Sequence, residues 1–288
     1  GYFIAAFVNV LDKFLLSSRS SVSPLIYSFY TGLASIFVLV LVPFGLKWPG
    51  LNGLLLAFLT GGLSFLSLWS FYKALNKNEI SRLVPFIGGL TPILILALSY
   101  LFLAERLGGL QVIAFCLLVA GGILISLKIK KNHHSFIGGF NFAFLCVLLG
   151  ASAAVLGKYI YERQGFITGF IFISLGVFLS ALFLLLRPQW RKLIFEAAQN
   201  TRKGLSVIFL ANKILGASVS MFISLAVAHA SVSLINAMAG SQYGFLFGLT
   251  LLFSKKFPQV LTEDTRGLVL GQKIVALLLI TFGLALLF

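Results

Sequence analysis

Acidic residues are scarce: seven Asp and Glu stand against 22 Lys and Arg in 288 residues, and charged residues make up 10% of the chain. A soluble domain usually carries about a quarter charged residues. This chain cannot clothe a water-facing surface, and its 59% hydrophobic content, with 30 Phe, equally excludes disorder. Cysteine is nearly missing. Cys116 and Cys146 both lie in apolar segments without a CxxC pair and read as small buried hydrophobes. His133 and His134 have no acid or thiol beside them, so no metal is expected. A Gly-rich phosphate loop, a metalloprotease helix and a nucleophile elbow are all absent. The expectation is a non-enzyme without a cofactor. The net charge of +15 is scattered in ones and twos between apolar runs. Nucleic-acid recognition needs a broad cationic face, and nucleic acid is not an expected partner. The same excess suits loops and helix ends at anionic lipid headgroups. Gly1 stands directly against an apolar run, and no cleavable leader is assigned.

What the chain does have is long apolar runs. A membrane-crossing helix needs roughly 20 predominantly apolar residues. Ten such segments are legible: 2–17, 23–44, 53–75, 80–104, 109–128, 139–160, 166–186, 205–227, 230–254 and 268–288. Stretches such as IVALLLITFGLALLF are too long and too uniformly apolar for the alternating strands of a barrel. The fold class expected is an all-α polytopic membrane protein with ten transmembrane helices. Connections are short. The longest, Arg187 to Gly204, has room for an interfacial helix carrying Trp190 and Phe195 but not for a soluble domain. Any function must reside between the helices.

The two halves, 1–131 and 132–288, echo each other. VLDKF at Val10–Phe14 is matched by VLGKY at Val155–Tyr159. Ala74 is followed seven residues on by Ser81, and Ala226 by Ser233. Each half then has a polar link with an acid, Glu105 or Glu263, and a last apolar span with glycine, Gly121–Gly122 or Gly283. Five spans repeated once place the two copies in the membrane with opposite orientation. Such inverted repeats are the architecture through which many secondary transporters alternate access.

The stretches ALNKNEISRLVPFIGGLTPILILALSYLFLAERLGGLQVIAFCLLVAGGILISL, SLAVAHASVSLINAMAGSQYGFLFGLTLLF and LTEDTRGLVLGQKIVALLLITFGLALLF carry a resemblance. The chain resembles the EamA-type, ten-helix members of the drug/metabolite transporter superfamily. Pro92 in mid-span, Glu105 just after that span and the glycine-bearing last helix of each half match the family pattern. The second half departs from it, because Gln242 and Tyr243 stand where a Gln-Pro pair is common. The resemblance implies two EamA-like five-helix repeats and no catalysis. It also implies export or exchange of metabolites or drug-like solutes, with protons as a candidate coupling ion. Some relatives move lipid-linked sugars, so a flippase is the alternative, with an intramembrane enzyme behind it. The motifs speak to fold and hardly to substrate.

Charges within a span normally face a cavity or a partner. Asp12 and Lys13 are adjacent in the first span with Asn9 before them, Lys158 occupies the matching place in the sixth, and Asn212 and Lys213 sit in the eighth. Asp12 is the one acid clearly inside a span and the first candidate for proton coupling. Snorkelling to the headgroups is the plainer reading for Lys13 and Lys273, and an equal one for Lys158. Lys213 is deep enough to need a partner, for which Asp12 is available. Asn212, Gly216, Ser220 and Ser224 recur every four residues on one face, as do Asn236, Gly240, Gly244 and Gly248. Ser64, Ser67 and Ser70 recur every three, flanked by Trp69 and Tyr72. These stripes either pack helices closely or line a cavity of hydroxyls, amides and aromatic faces. The candidate cavity set is therefore Asn9, Asp12, Lys13, Ser67, Trp69, Tyr72, Lys158, Asn212, Lys213, Ser220, Asn236, Gln242 and Tyr243. Pro92, Glu105 and Glu263 are expected to shape helix turns, and Glu79 and Arg82 to form a local ion pair.

Lys and Arg concentrate in the odd-numbered connections, which puts those in the cytoplasm by the charge rule. The family resemblance implies the reverse, with both termini inside. Expected partners are a small solute, protons and membrane lipid. The expected setting is a bacterial or archaeal plasma membrane, with the protein as monomer or homodimer.

Overall fold

The computed structural model describes residues 1–17, 23–77, 80–126, 140–200, 203–242, 244–245, 249 and 267–287. All of the regular structure among them is helical. The elements are α1 (Tyr2–Ser17), α2 (Pro24–Ala34), α3 (Gly50–Lys77), α4 (Ile80–Phe102), α5 (Gly109–Ser126), α6 (Phe140–Gln164), α7 (Phe166–Phe183), α8 (Pro188–Asn200), α9 (Lys203–His229), α10 (Val232–Ala237) and α11 (Gly267–Ala285). Five stretches are long and apolar enough to cross a membrane: Pro24–Phe44, Gly50–Ala74, Asn141–Gln164, Phe166–Leu186 and Val207–His229. Phe86–Phe102, Gly109–Leu124 and Gly271–Ala285 are shorter apolar helices. The protein is an integral, multi-pass, all-α membrane protein.

Local chemistry sets the helix ends. Ser23 caps α2, its hydroxyl accepting from the Ile26 amide at 3.4 Å, and Pro24 occupies the first turn where no amide hydrogen is needed. The helix then tightens into a 3₁₀ stretch, Ser35–Phe44, that contains Pro43 and stops at Gly45 with φ 120. The expected interfacial helix is present as α8, with Ile194 buried and Phe195 exposed. Pro92 is buried inside a continuous α4 rather than at a turn. The expected ninth span is not one uninterrupted helix where it is described. Ser231 caps α10, which ends after Ala237, and the next amides bond three residues back: Ala239 to Asn236, Ser241 to Met238, Gln242 to Ala239. The helix resumes at Gly240, which packs against Leu118 and Gly122 of α5.

Close packing uses the glycines. α3 runs antiparallel to α6: Gln164 donates to the Gly53 carbonyl at one end, and Ser67 to the Cys146 carbonyl further along. Across α3 and α7, a Cβ on Gly176 would lie 2.9 Å from the Phe58 Cα. α5 and α11 are also antiparallel. Gly121 faces Ala276 and Ile280, Gly283 faces Ala114 and Leu118, and Gln272 donates to the Leu124 carbonyl. α1 runs antiparallel along α9, with Gly1 against Ile223 and Val8 against Gly216. The largest buried cluster joins α4, α6, α7 and α9 through Ile95, Val155, Ile171 and Val227.

Candidate functional site

Two ends of the bundle differ in chemistry. At the end where α3 finishes and α9 begins, beside α8, aromatic rings gather around a buried cation. Lys213 Nζ donates to the Tyr27 hydroxyl at 3.2 Å, lies 4.2 Å from that ring's centre and 5.1 Å from that of Phe209. Tyr27 packs edge-on to Tyr72 at 4.7 Å and to Phe209 at 5.4 Å. Asn212 is fully buried beside Lys213. Cation–π attraction and a charged hydrogen bond together lower the cost of placing this ammonium away from water. The antiparallel register of α1 and α9 brings the backbone of residues 11–12 level with Asn212 and Lys213. The side chains of Asn9, Asp12 and Lys13 lie outside the described set.

At the opposite end, contacts between separate helices close the bundle. Ser99 and Ser233, both fully buried, share a 2.8 Å hydrogen bond, and Ser233 also donates to Glu105 Oε2 at 3.4 Å. Lys158 donates to the Ala228 carbonyl at 3.2 Å while pairing with Glu162 at 3.2 Å. The Tyr2 hydroxyl donates to the Ile235 carbonyl. Thus α1, α4, α6, α9 and α10 are tied together there.

Between the two ends, the middle of α9 carries Ser220. Ser220 is seven residues from both Lys213 and Val227, and so on the same face of α9. Both of those residues are buried, yet Ser220 is exposed. Ser224, one turn further, is hydrogen-bonded to Tyr161. Along α9, Ser220 thus lies between the Lys213 cluster and buried Val227.

The candidate residues divide accordingly. Tyr72 and Lys213 meet at Tyr27, with Asn212 buried beside Lys213, and Ser220 stands two turns further along α9. Trp69 packs at 5.7 Å on Trp190 of α8 and carries Lys73 over its ring at 3.8 Å. Ser67 serves the α3–α6 contact. Lys158 is tied into the closed end, and Asn236 bonds its own helix at Val232. Gln242 sits in the tightened turn after α10. Lys273, expected to extend to the headgroups, is buried, because α5 packs against the start of α11. Tyr243, Glu263, Glu79, His133 and His134 lie outside the described residues, as does the Arg82 side chain. Among the described residues no cluster of three or more metal-ligating side chains occurs. Tyr27 is the residue that sequence reasoning missed. Its signal is weak, an aromatic hydroxyl in the first turn of an apolar span, with no polar stripe beside it such as the one that singles out Tyr72.

The described residues form a bundle of apolar helices with buried polar side chains among them. The profile of the EamA-like transporter family matches residues 1–127, and that part of the chain belongs to the family. The family is non-catalytic, and its general function is transport. No curated protein matches the chain. Among solved structures, one crystal structure aligns with a TM-score of 0.67 at 17% identity, covering 99% of this chain and 94% of that one. At that identity the likeness is one of fold.

Proposed function

We propose that the chain is a secondary transporter that moves a small metabolite or drug-like solute by alternating access around the space beside Ser220. Two inverted five-helix repeats, 1–131 and 132–288, build its ten spans. The antiparallel pairing of α5 with α11 and of α1 with α9 is what opposed copies of one unit produce. The reading rests above all on the exposed Ser220 between buried Lys213 and Val227. It signals space for a solute within the bundle, with one end shut by the Ser99–Ser233–Glu105 contacts.

In this reading the solute rests against Tyr27, Tyr72 and Asn212, and Lys213 supplies the fixed positive charge. Asp12, at the same level on the neighbouring helix, takes up and releases the coupling proton. A proton arriving at Asp12 alters the charge balance around Lys213, and with it the affinity for the solute on the open side. Coupling of this kind requires only that the two sites bias one equilibrium. Purified protein in vesicles with an imposed proton gradient tests it. Asp12→Asn is expected to abolish gradient-driven uptake and to spare solute exchange. Gradient-driven uptake retained by the variant contradicts the coupling role. Absence of flux for every member of a broad solute panel contradicts transport itself.

A further inference from the structure

A cavity lies where α3 and α4 both rest on α6. It encloses about 480 Å³, and its wall is almost wholly apolar: Leu56 from α3, Leu98 and Phe102 from α4, Val155 and Leu156 from α6. The hydroxyl of Ser152, also on the wall, is occupied by the Leu148 carbonyl at 2.8 Å. Such a cavity offers nothing to a polar solute. Ser152, Val155, Leu156 and Tyr159, spaced at three and four residues, present one face of α6 to it.

α3 and α4 both pack on α6 but barely on each other, which leaves a window between them. The rim of that window is the membrane-facing surface. Phe102 is 73% exposed, and Leu55, Leu59 and Leu101 beside it are exposed as well. The end of the cavity towards the membrane surface is different in kind. Tyr159 lines it, and one turn on Arg163 lays its guanidinium 4.5 Å from the centre of that ring. Glu162, the adjacent acid, is taken by Lys158. Among the described residues no carboxylate pairs with Arg163.

We infer that this cavity holds one acyl chain of an anionic phospholipid, with the headgroup on Arg163. An apolar slot open to hydrocarbon admits a lipid chain, and a chain moving from bilayer to slot gains little by itself. Selection therefore comes from the head. A phosphate diester at the interface meets an uncompensated guanidinium held flat on Tyr159, the planar donor array that binds phosphate oxygens in pairs. The site does not depend on the identity of the transported solute, and it stands whether or not the transport reading does.

Native mass spectrometry of the purified full chain tests the assignment, after equilibration with equal phosphatidylglycerol and phosphatidylcholine of matched chains. The wild type is expected to retain one phosphatidylglycerol about fivefold over phosphatidylcholine, as one cation beside an anionic lipid provides. Arg163→Gln, at an exposed position, is expected to bring that ratio to about one while a lipid of either head stays bound. Leu156→Trp fills the slot and is expected to release the retained lipid altogether. Leu98→Trp replaces it if that variant fails to fold. Undiminished phosphatidylglycerol preference in Arg163→Gln, or lipid retained with the slot filled, overturns the inference.

Discussion

Lys213 is the residue whose placement is hardest to sustain and most informative. An ammonium 7% exposed inside an apolar bundle is supported by Tyr27, which takes a hydrogen bond, and by two rings that face the charge. A charged hydrogen bond of this type is worth about 1.5–3 kcal/mol. Tyr27→Phe keeps the ring and deletes the hydroxyl, so it is expected to lower the thermal stability of purified protein modestly and weaken solute binding by about tenfold or more. Lys213→Met removes the charge and is expected to abolish solute binding while the protein still folds, which size-exclusion chromatography and a binding isotherm measure together. Unchanged binding in Lys213→Met removes this residue from the site. The importance of Lys213 was legible in the sequence, since a charge eight or nine residues into an apolar span requires a partner. Tyr27 was not, because an aromatic residue in a span is usually lipid-facing or core, and only the register between α2, α3 and α9 puts its hydroxyl on the ammonium. The same holds for Ser67, whose spacing placed it on a polar stripe, while the approach of α6 decided what the stripe meets.

At the scale of elements, the helices were readable from apolar run length alone, but their irregularities were not. A Pro in mid-span suggested a turn at Pro92, whereas α4 continues through it. The missing amide hydrogen costs one hydrogen bond, and packing on α5, α6 and α10 holds the helix together across the gap. The converse case is α10, where no Pro stands in the sequence yet the α-helix stops after six residues. Beyond this interruption the absence of a side chain on Gly240 lets the backbone approach Gly122 of α5. The glycines at α5–α11 work in the same way. A Cβ on Gly121 would stand 2.7 Å from the Ile280 side chain and 2.9 Å from the Ala276 carbonyl oxygen. Gly121→Val is expected to destabilise the protein by about 1–3 kcal/mol through overpacking, read as a lowered melting temperature in detergent. Gly109→Ala, at a position where a Cβ meets nothing, is the control expected to leave it unchanged.

Taken as a whole, the molecule has a hydrogen-bonded end at Ser99, Ser233 and Glu105 and a cationic, aromatic end at Lys213, and the proposed solute space lies between them. Among the described residues, the polar contacts between helices at the first of these ends are the serine pair, Glu105, Lys158 and the Tyr2 hydroxyl. A small set of hydrogen bonds worth about 1 kcal/mol each can be exchanged for an equivalent set at the other end, as switching between two states requires. Composition and run length made the membrane class plain, and the repeated order of motifs pointed to two related halves. The location of the proposed space was not readable, because it depends on which face of α9 the neighbours leave uncovered. Ser220→Cys, in a background without Cys116 and Cys146, probes that space through its reaction with a membrane-impermeant thiol reagent in vesicles. Labelling of Ser220→Cys, together with no labelling of Phe222→Cys on the opposite, lipid-facing side of the helix, is the predicted result. Equal resistance of the two positions would mean that no water-filled space exists beside α9, and would contradict transport through it.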